Sequence, residues 1–138
     1  MQTETTTNTT QASEVGTMPF RFEVTTIPVT DVDRAKAFYL KLGWRLDIDF
    51  EPAPGVRGVQ FTPPGSPASI QFGSGGAPFA GPLQNLYLIV DDIEAARDEL
   101  IGRGVEVGET EDLGGVFYAW FKDPDGNTWA LQHMPWRP

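Results

Sequence analysis

The chain has 138 residues, with 10 lysines and arginines against 19 aspartates and glutamates, a formal net charge of −9, 40 % hydrophobic residues and no cysteine. That length fits one domain, or two small modules sharing a core. The missing thiols exclude disulfides, thiolate nucleophiles, cysteine-bound zinc and iron–sulfur clusters. The scattered cations lack the clustering that nucleic-acid binding demands and make anionic membranes a poor partner as well.

Residues 1–18, MQTETTTNTTQASEVGTM, are rich in Thr, Gln and Asn and are expected to form a disordered tail. This start lacks the basic residues and apolar core of a secretory signal. The apolar runs are too short to span a bilayer, so a cytoplasmic location is expected. From Phe20 onward Phe20, Phe22, Val24 and Thr26 alternate with Arg21, Glu23 and Thr25, which predicts a strand ending near Pro28. Thr30 and Asp31 are candidate N-caps for a helix carrying Val32, Ala35, Tyr39 and Leu42 at helical spacing, closed by Gly43. Trp44 to Phe50 alternates again, Pro52, Pro54 and Gly55 make a loop, and 56–62 and 68–73 are strands around Pro63-Pro64-Gly65-Ser66. Residues 19–73 thus read as one βαβββ module.

The Gly/Pro-rich segment SGGAPFAGPLQ, residues 74–84, is expected to be a linker. A second module then spans 85–134: a strand from Asn85 to Val90, and a helix capped by Asp91 or Asp92, carrying Ile93, Ala96 and Leu100 and ended by Gly104. Strands over 105–108, 116–122 and 128–133 follow, the last preceded by the turn Asp123-Pro124-Asp125-Gly126-Asn127, and 135–138 form a C-terminal tail. The two strand–helix segments superpose at one constant shift: Val29-x-Asp31-Val32 on Val90-x-Asp92-Ile93, Ala35 on Ala96, Tyr39 on Leu100 and Gly43 on Gly104, a repeat of about sixty residues. The fold class is therefore α+β, two βαβββ modules forming a cup-shaped mixed sheet, helices outside and a cleft within.

At these residues the chain resembles a known family. VTTIPVTDVDRAKAFYLKLGWRLD, LYLIVDDIEAARDELIGRGVEV and WFKDPDGNTWALQ are similar to the first strand and helix, the second-module equivalent and the closing turn and strand of the vicinal oxygen chelate (glyoxalase/bleomycin resistance/extradiol dioxygenase) superfamily, across roughly residues 20–134. The resemblance implies a site in the concavity of the sheet. In metal-dependent members, four His, Gln or Glu side chains from the first and last strands of each module hold the ion and leave positions open for substrate. Carried over one at a time, those positions fall on Val24, Gln71, Asn85 and Ala130. A register shift of two would put Ser69 in place of Gln71. Val24 and Ala130 cannot ligate, so neither a metal nor another cofactor is expected. His133, the only histidine, would point away from Ala130 and Gln132 by strand alternation.

The expected cavity face holds Val24, Thr26, Gln71, Asn85, Tyr87, Thr128, Ala130 and Gln132, small and uncharged, suited to an oxygenated or amide-bearing ligand. The competing reading is that Gln71 and Asn85 only satisfy neighbouring backbone. Of the two alternating sets in the strand 116–122, Tyr118 and Trp120 are expected to face the cavity, and Phe117, Ala119 and Phe121 the helix. Asp47 and Asp49, at i and i+2 on one strand face, are with Tyr118 the candidates for acid–base catalysis, since crowded carboxylates raise each other's pKa. A solvated outer face is the alternative for the two aspartates. Trp136 is a lid, a dimer contact or part of the tail.

Two functions lead, ahead of a third, a degenerate metalloenzyme holding a metal through Gln71 and partners from a dimer mate. One is a metal-independent enzyme of lyase or isomerase type, guiding isomerisation, cyclisation or ring opening of a small organic molecule. The other is a drug- or metabolite-sequestering protein similar to bleomycin-resistance proteins. By resemblance a homodimer is expected. A buried cup carboxylate or tyrosine with a strongly shifted pKa would favour the enzyme; a lining of aromatics and amides would favour binding.

Overall fold

The computed structural model describes residues 14–74 and 81–137. Most of the expected N-terminal tail (1–13), the middle of the expected linker (75–80) and Pro138 lie outside the described residues. The elements run β1 (Val24–Thr26), α1 (Val32–Lys41), β2 (Arg45–Ala53), β3 (Val56–Thr62), β4 (Ser69–Ser74), β5 (Leu86–Ile89), α2 (Ile93–Gly102), β6 (Glu111–Leu113), β7 (Val116–Lys122) and β8 (Thr128–His133). They form two four-stranded sheets in the orders β1-β4-β3-β2 and β5-β8-β7-β6. In each sheet the first pair is parallel and the others antiparallel. This is the α+β fold of two βαβββ modules expected from the repeat.

The repeat is exact in its chemistry at the helix starts. Asp31 and Asp92 have extended backbones, and their side chains accept from Arg34 N and Ala95 N at 3.0 Å each, each satisfying one of the backbone donors a helix start leaves free. Gly43 and Gly104 follow the helices with φ of 84° and 86°, a left-handed conformation that glycine adopts at no steric cost.

Three strands differ from expectation. β2 runs on through Pro52 to Ala53, where a loop was expected, and only Pro54 and Gly55 turn the chain. β1 starts at Val24, and Phe20 and Phe22 are exposed outside any ladder. Residues 105–108 are not a strand: Val105 is buried under α2, and Gly108 N donates to Trp120 O at 2.9 Å. The strand partner of β7 is β6 instead, through a hairpin turned by Gly114 and Gly115 at φ 68° and 91°, a geometry matched to sheet twist. Hydrophobic alternation favoured Val105 and Val107, whereas β6, Glu-Asp-Leu, has no apolar periodicity to reveal it.

One core joins the modules. Tyr39 packs on Phe61, Phe72 and Trp44, and Trp44 and Trp129 meet edge to face with centroids 5.1 Å apart. Trp129 stacks on Phe121 and also meets Tyr39. These residues lie on the helix-bearing faces of both sheets, so those faces share one interior. No ladder joins the two sheets among the described residues. Their opposite faces leave this core and turn outward in the single chain.

Candidate functional site

Strand alternation fixes what each outward face carries. On the first sheet the paired residues are Val24 with Ser69, Thr26 with Gln71, Gln71 with Gln60, and Gln60 with Ile48. Gly73, Gly58 and Phe50 continue this face. Gln71 Nε2 donates to Thr26 Oγ1 at 2.8 Å. This bond leaves the amide oxygen of Gln71 and the hydroxyl proton of Thr26 for a ligand. On the second sheet Tyr87 sits beside Ala130, Ile89 beside Gln132, Trp120 across from Ala130 and Tyr118 across from Gln132. Tyr118 and Trp120 stack with centroids 5.4 Å apart and ring planes 13° apart, and Tyr87 leans on Tyr118 at 6.5 Å. Gln132 Nε2 donates to Tyr118 Oη at 2.9 Å, so the phenol keeps its own proton to donate outward. Tyr87 is 56 % exposed. The result is an aromatic wall edged by the amide of Gln132.

Tyr118 and Trp120 thus stand together, on the face opposite Ala119 and Phe121, which are buried. Thr128 lies at the end of that face, its hydroxyl donating to Gln84 Oε1 at 3.0 Å. Asn85 precedes β5 with φ 56°, so it stands outside the ladder that would have fixed its direction. His133 lies on the helix side, its Nδ1 3.1 Å from Val90 O and its ring stacked on Phe117.

The two aspartates do not come together. A β-bulge places Asp47 as an extra residue between Leu46, opposite Phe61, and Ile48, opposite Gln60. One inserted residue flips every side chain beyond it. Asp47 consequently stays on the outward face, where it accepts from Arg45 Nε at 2.5 Å and from the hydroxyl of Thr62. Asp49 turns to the helix side. There it takes Lys36 Nζ at 2.7 Å and both Nε and Nη2 of Arg57 at 2.9 Å, and Arg57 in turn holds Asp33 at 2.7 Å. Instead of raising each other, both carboxyls sit below the usual range. The Thr62 hydroxyl, then Arg45, holds Asp47 down, and Arg57, then Lys36, holds Asp49 down. The tyrosine with a strongly raised pKa is Tyr39, through burial and the neighbouring Asp123, and it lies in the core between the modules.

Ser69, the register alternative to Gln71, shares the outward face with it, and Gln60, Thr62 and Arg45 belong there too; alternation from Gln71 through its β3 and β2 partners would have found these three once the pairing was known. The motif Asp123-Pro-Asp-Gly-Asn127 has a structural task. Asp123 Oδ1 accepts from Asp125 N and Asn127 N at 2.9 Å. The buried amide of Asn127 bonds Pro28 O at 2.9 Å and Leu83 N at 2.8 Å. Asp125 Oδ1 takes Thr30 N and Thr30 Oγ1 at 2.9 and 2.6 Å. The closing turn therefore clamps the second module to the first.

A groove of about 900 Å³ opens on the helix side between Phe38, Lys41, Ile101, Val105, Val107 and Phe121. Of the expected site residues, it touches only Trp120 and Thr128.

Residues 21–131 match the model of the Glyoxalase/Bleomycin resistance protein/Dioxygenase superfamily. The chain belongs to that superfamily. Among solved structures it is similar to TnmS3, an antibiotic binding protein from Streptomyces sp. CB03234, at 30 % identity and TM-score 0.72, covering 86 % of this chain and 99 % of that one. A glyoxalase/bleomycin resistance protein from the same organism is 32 % identical over 80 % of this chain and 98 % of its own, with TM-score 0.67. A superfamily member from Sphaerobacter thermophilus DSM 20745 is 31 % identical over 85 % and 99 %, with TM-score 0.71. No curated protein sequence matches.

The metal that many superfamily members hold does not fit the residues present. The four positions to which the resemblance points carry two hydrocarbon side chains, Val24 and Ala130, and two amides, Gln71 and Asn85. Among the described residues no three of His, Asp or Glu gather in a metal-binding group. Hard and borderline cations need anionic or imidazole donors.

Proposed function

We propose that this protein binds and sequesters a small, oxygenated aromatic molecule on its outward sheet faces, without a metal and without transforming it. The carrying observation is the wall of Tyr87, Tyr118 and Trp120 beside Gln132 on the second sheet, with the separate pair Gln71 and Thr26 on the outward face of the first. Stacked rings supply area to a planar ligand, and the amides and hydroxyls fix its oxygens. Asp47 and Asp49 are held ionised and ion-paired, which suits neither for donating or accepting a proton near neutral pH. That favours binding over acid–base catalysis by these residues, and similarity to an antibiotic binding protein points the same way.

The exposed apolar groups on these faces, Phe50 at 62 %, Ile48 and Ile89 at 47 % and Tyr87, make a surface that a soluble chain covers. We infer a homodimer in which a second copy closes the faces into the ligand cavity. No helix among the described residues is long and apolar enough to cross a membrane. The test is a thermal-shift and tryptophan-fluorescence screen against polycyclic aromatic antibiotics, with recovery of the bound compound for mass spectrometry. A saturable rise in Tm that is lost in Trp120→Ala, with the compound recovered intact, supports the reading. A chemically changed compound overturns sequestration. An unaltered response in Trp120→Ala overturns the site.

A further inference from the structure

On the first sheet, three side chains that the binding reading does not use form a chain of hydrogen bonds ending on the outward face. Asp47 accepts from the Thr62 hydroxyl, and Thr62 Oγ1 lies 2.7 Å from Ser69 Oγ. Thr62 is 3 % exposed, so solvent has little access to it. Ser69 is fixed by its backbone, Ser69 N donating to Glu23 O at 2.6 Å. It stands beside Val24, two pairs along the ladder from Gln71 and Thr26 and on the same face.

The direction of this chain follows from proton counting. An ionised carboxylate only accepts, and each hydroxyl has one proton and two lone pairs. The Thr62 proton must therefore go to Asp47. The proton between Thr62 and Ser69 can then come only from Ser69, which leaves Ser69 with lone pairs alone to offer outward. Asp47 reaches this position only because the bulge in β2 keeps it on the outward face after Leu46.

We propose that Ser69 is a specificity-determining residue whose hydroxyl, oriented through Thr62 by Asp47, is an obligate acceptor that selects ligands presenting an O–H or N–H and disfavours their O-methylated counterparts. Asp47 and Thr62 act as positioning residues. This rests on the reading that the outward faces bind the ligand, while the orientation of the relay itself does not.

Two measurements separate these layers. Neutron diffraction from deuterium-exchanged crystals locates the hydroxyl deuterons directly. One on Thr62 toward Asp47 and one on Ser69 toward Thr62 are expected; a Thr62 deuteron pointing at Ser69 overturns the relay. NMR titration of the full chain with 2-naphthol and 2-methoxynaphthalene tests the consequence. The naphthol should bind about threefold to tenfold more tightly, the worth of one net hydrogen bond, and shift the amides of Ser69 and Gln71. In Asp47→Asn the side-chain amide can donate to Thr62, which frees the Thr62 proton for Ser69 and turns Ser69 into a donor, so the preference should vanish or invert. A merely structural role for Asp47 would weaken both probes equally. Ser69→Ala, which leaves the Asp47–Thr62 pair intact, should bind the two probes alike; a preference surviving there overturns the proposal. If neither probe shifts outward-face amides while the deuterons lie as expected, the binding reading fails, and with it the selectivity.

Discussion

Tyr39 Oη donates to Asp123 Oδ2 at 2.8 Å and accepts the indole N–H of Trp129 at 3.0 Å, bonding the helix of the first module to the closing turn of the second. All three side chains are buried. Burial, reinforced by Asp123, pushes the phenol far above the ordinary tyrosine range, so it remains a proton donor under all ordinary conditions. Tyr39→Phe keeps the ring packing, strands the indole N–H of Trp129 and leaves Asp123 Oδ2 with only the Asn127 amide as a partner. The expected loss is about 1–3 kcal/mol in urea unfolding, with near-UV and far-UV circular dichroism still coincident because both modules share one core. A loss under about 0.5 kcal/mol, the size of an ordinary surface change, would show that the bond does not tie the modules.

Asp49 makes stability depend on acid. Its folded pKa is depressed by Arg57 first and Lys36 second. A depressed carboxylate contributes stability that is complete above the unfolded value of about 3.9 and is lost as pH falls through the folded pKa. Urea midpoints should therefore hold steady from neutral pH to about pH 5 and fall below about pH 4. In Asp49→Asn that acid-side fall should be shallower, with a lower midpoint at neutral pH. An identical acid limb in the variant would mean that Arg57 and Lys36 hold Asp49 no better than water does.

The modular architecture was legible because its signals are local and doubled: Asp31 and Asp92 cap, Gly43 and Gly104 close, and alternation gave β3, β4, β7 and β8 nearly to the residue. That Tyr118 and Trp120 share one face followed from the same period of two, which left open which face it is. What failed was what alternation cannot encode. A bulge has no sequence signature in Arg-Leu-Asp-Ile-Asp, so Asp47 and Asp49 were expected on one face and lie on two. β6 forms because two left-handed glycines turn the chain back, not because its residues are apolar. The direction in which the modules face depends on the long-range contacts of Tyr39, Trp44, Trp129 and Asn127, and no local pattern carries those.

Removal of divalent ions should change nothing. With Val24 and Ala130 at two of the four positions to which the resemblance points, there are too few donors to retain Zn²⁺ or Ni²⁺. Dialysis against EDTA should leave both the Tm and the ligand-induced Tm shift unaltered, and added zinc or nickel should not raise the Tm, since only an ion bound selectively to the folded state can do so. A saturable rise with either metal would reopen the superfamily's metal chemistry for this chain.

Gly58 and Gly73 are cross-strand partners on the outward face, yet they should respond oppositely to the same substitution. A Cβ on Gly73 would lie 2.0 Å from the carbonyl oxygen of Arg57, a backbone atom that cannot step aside. A Cβ on Gly58 would meet nothing within 4 Å among the described residues, and Gly58 is not in the left-handed region. Gly73→Ala should therefore cost about 1–3 kcal/mol through overpacking. Gly58→Ala should add about 0.4–1 kcal/mol, chiefly by narrowing the unfolded ensemble. A glycine kept inside a strand where the fold does not require it is often a place of close approach by something else, here between Phe50 and Gln60 on the face proposed to bind the ligand. The stabilised Gly58→Ala protein should accordingly bind more weakly in the thermal-shift assay. If it is both more stable and binds as well as the parent, the space over Gly58 is not part of the ligand site.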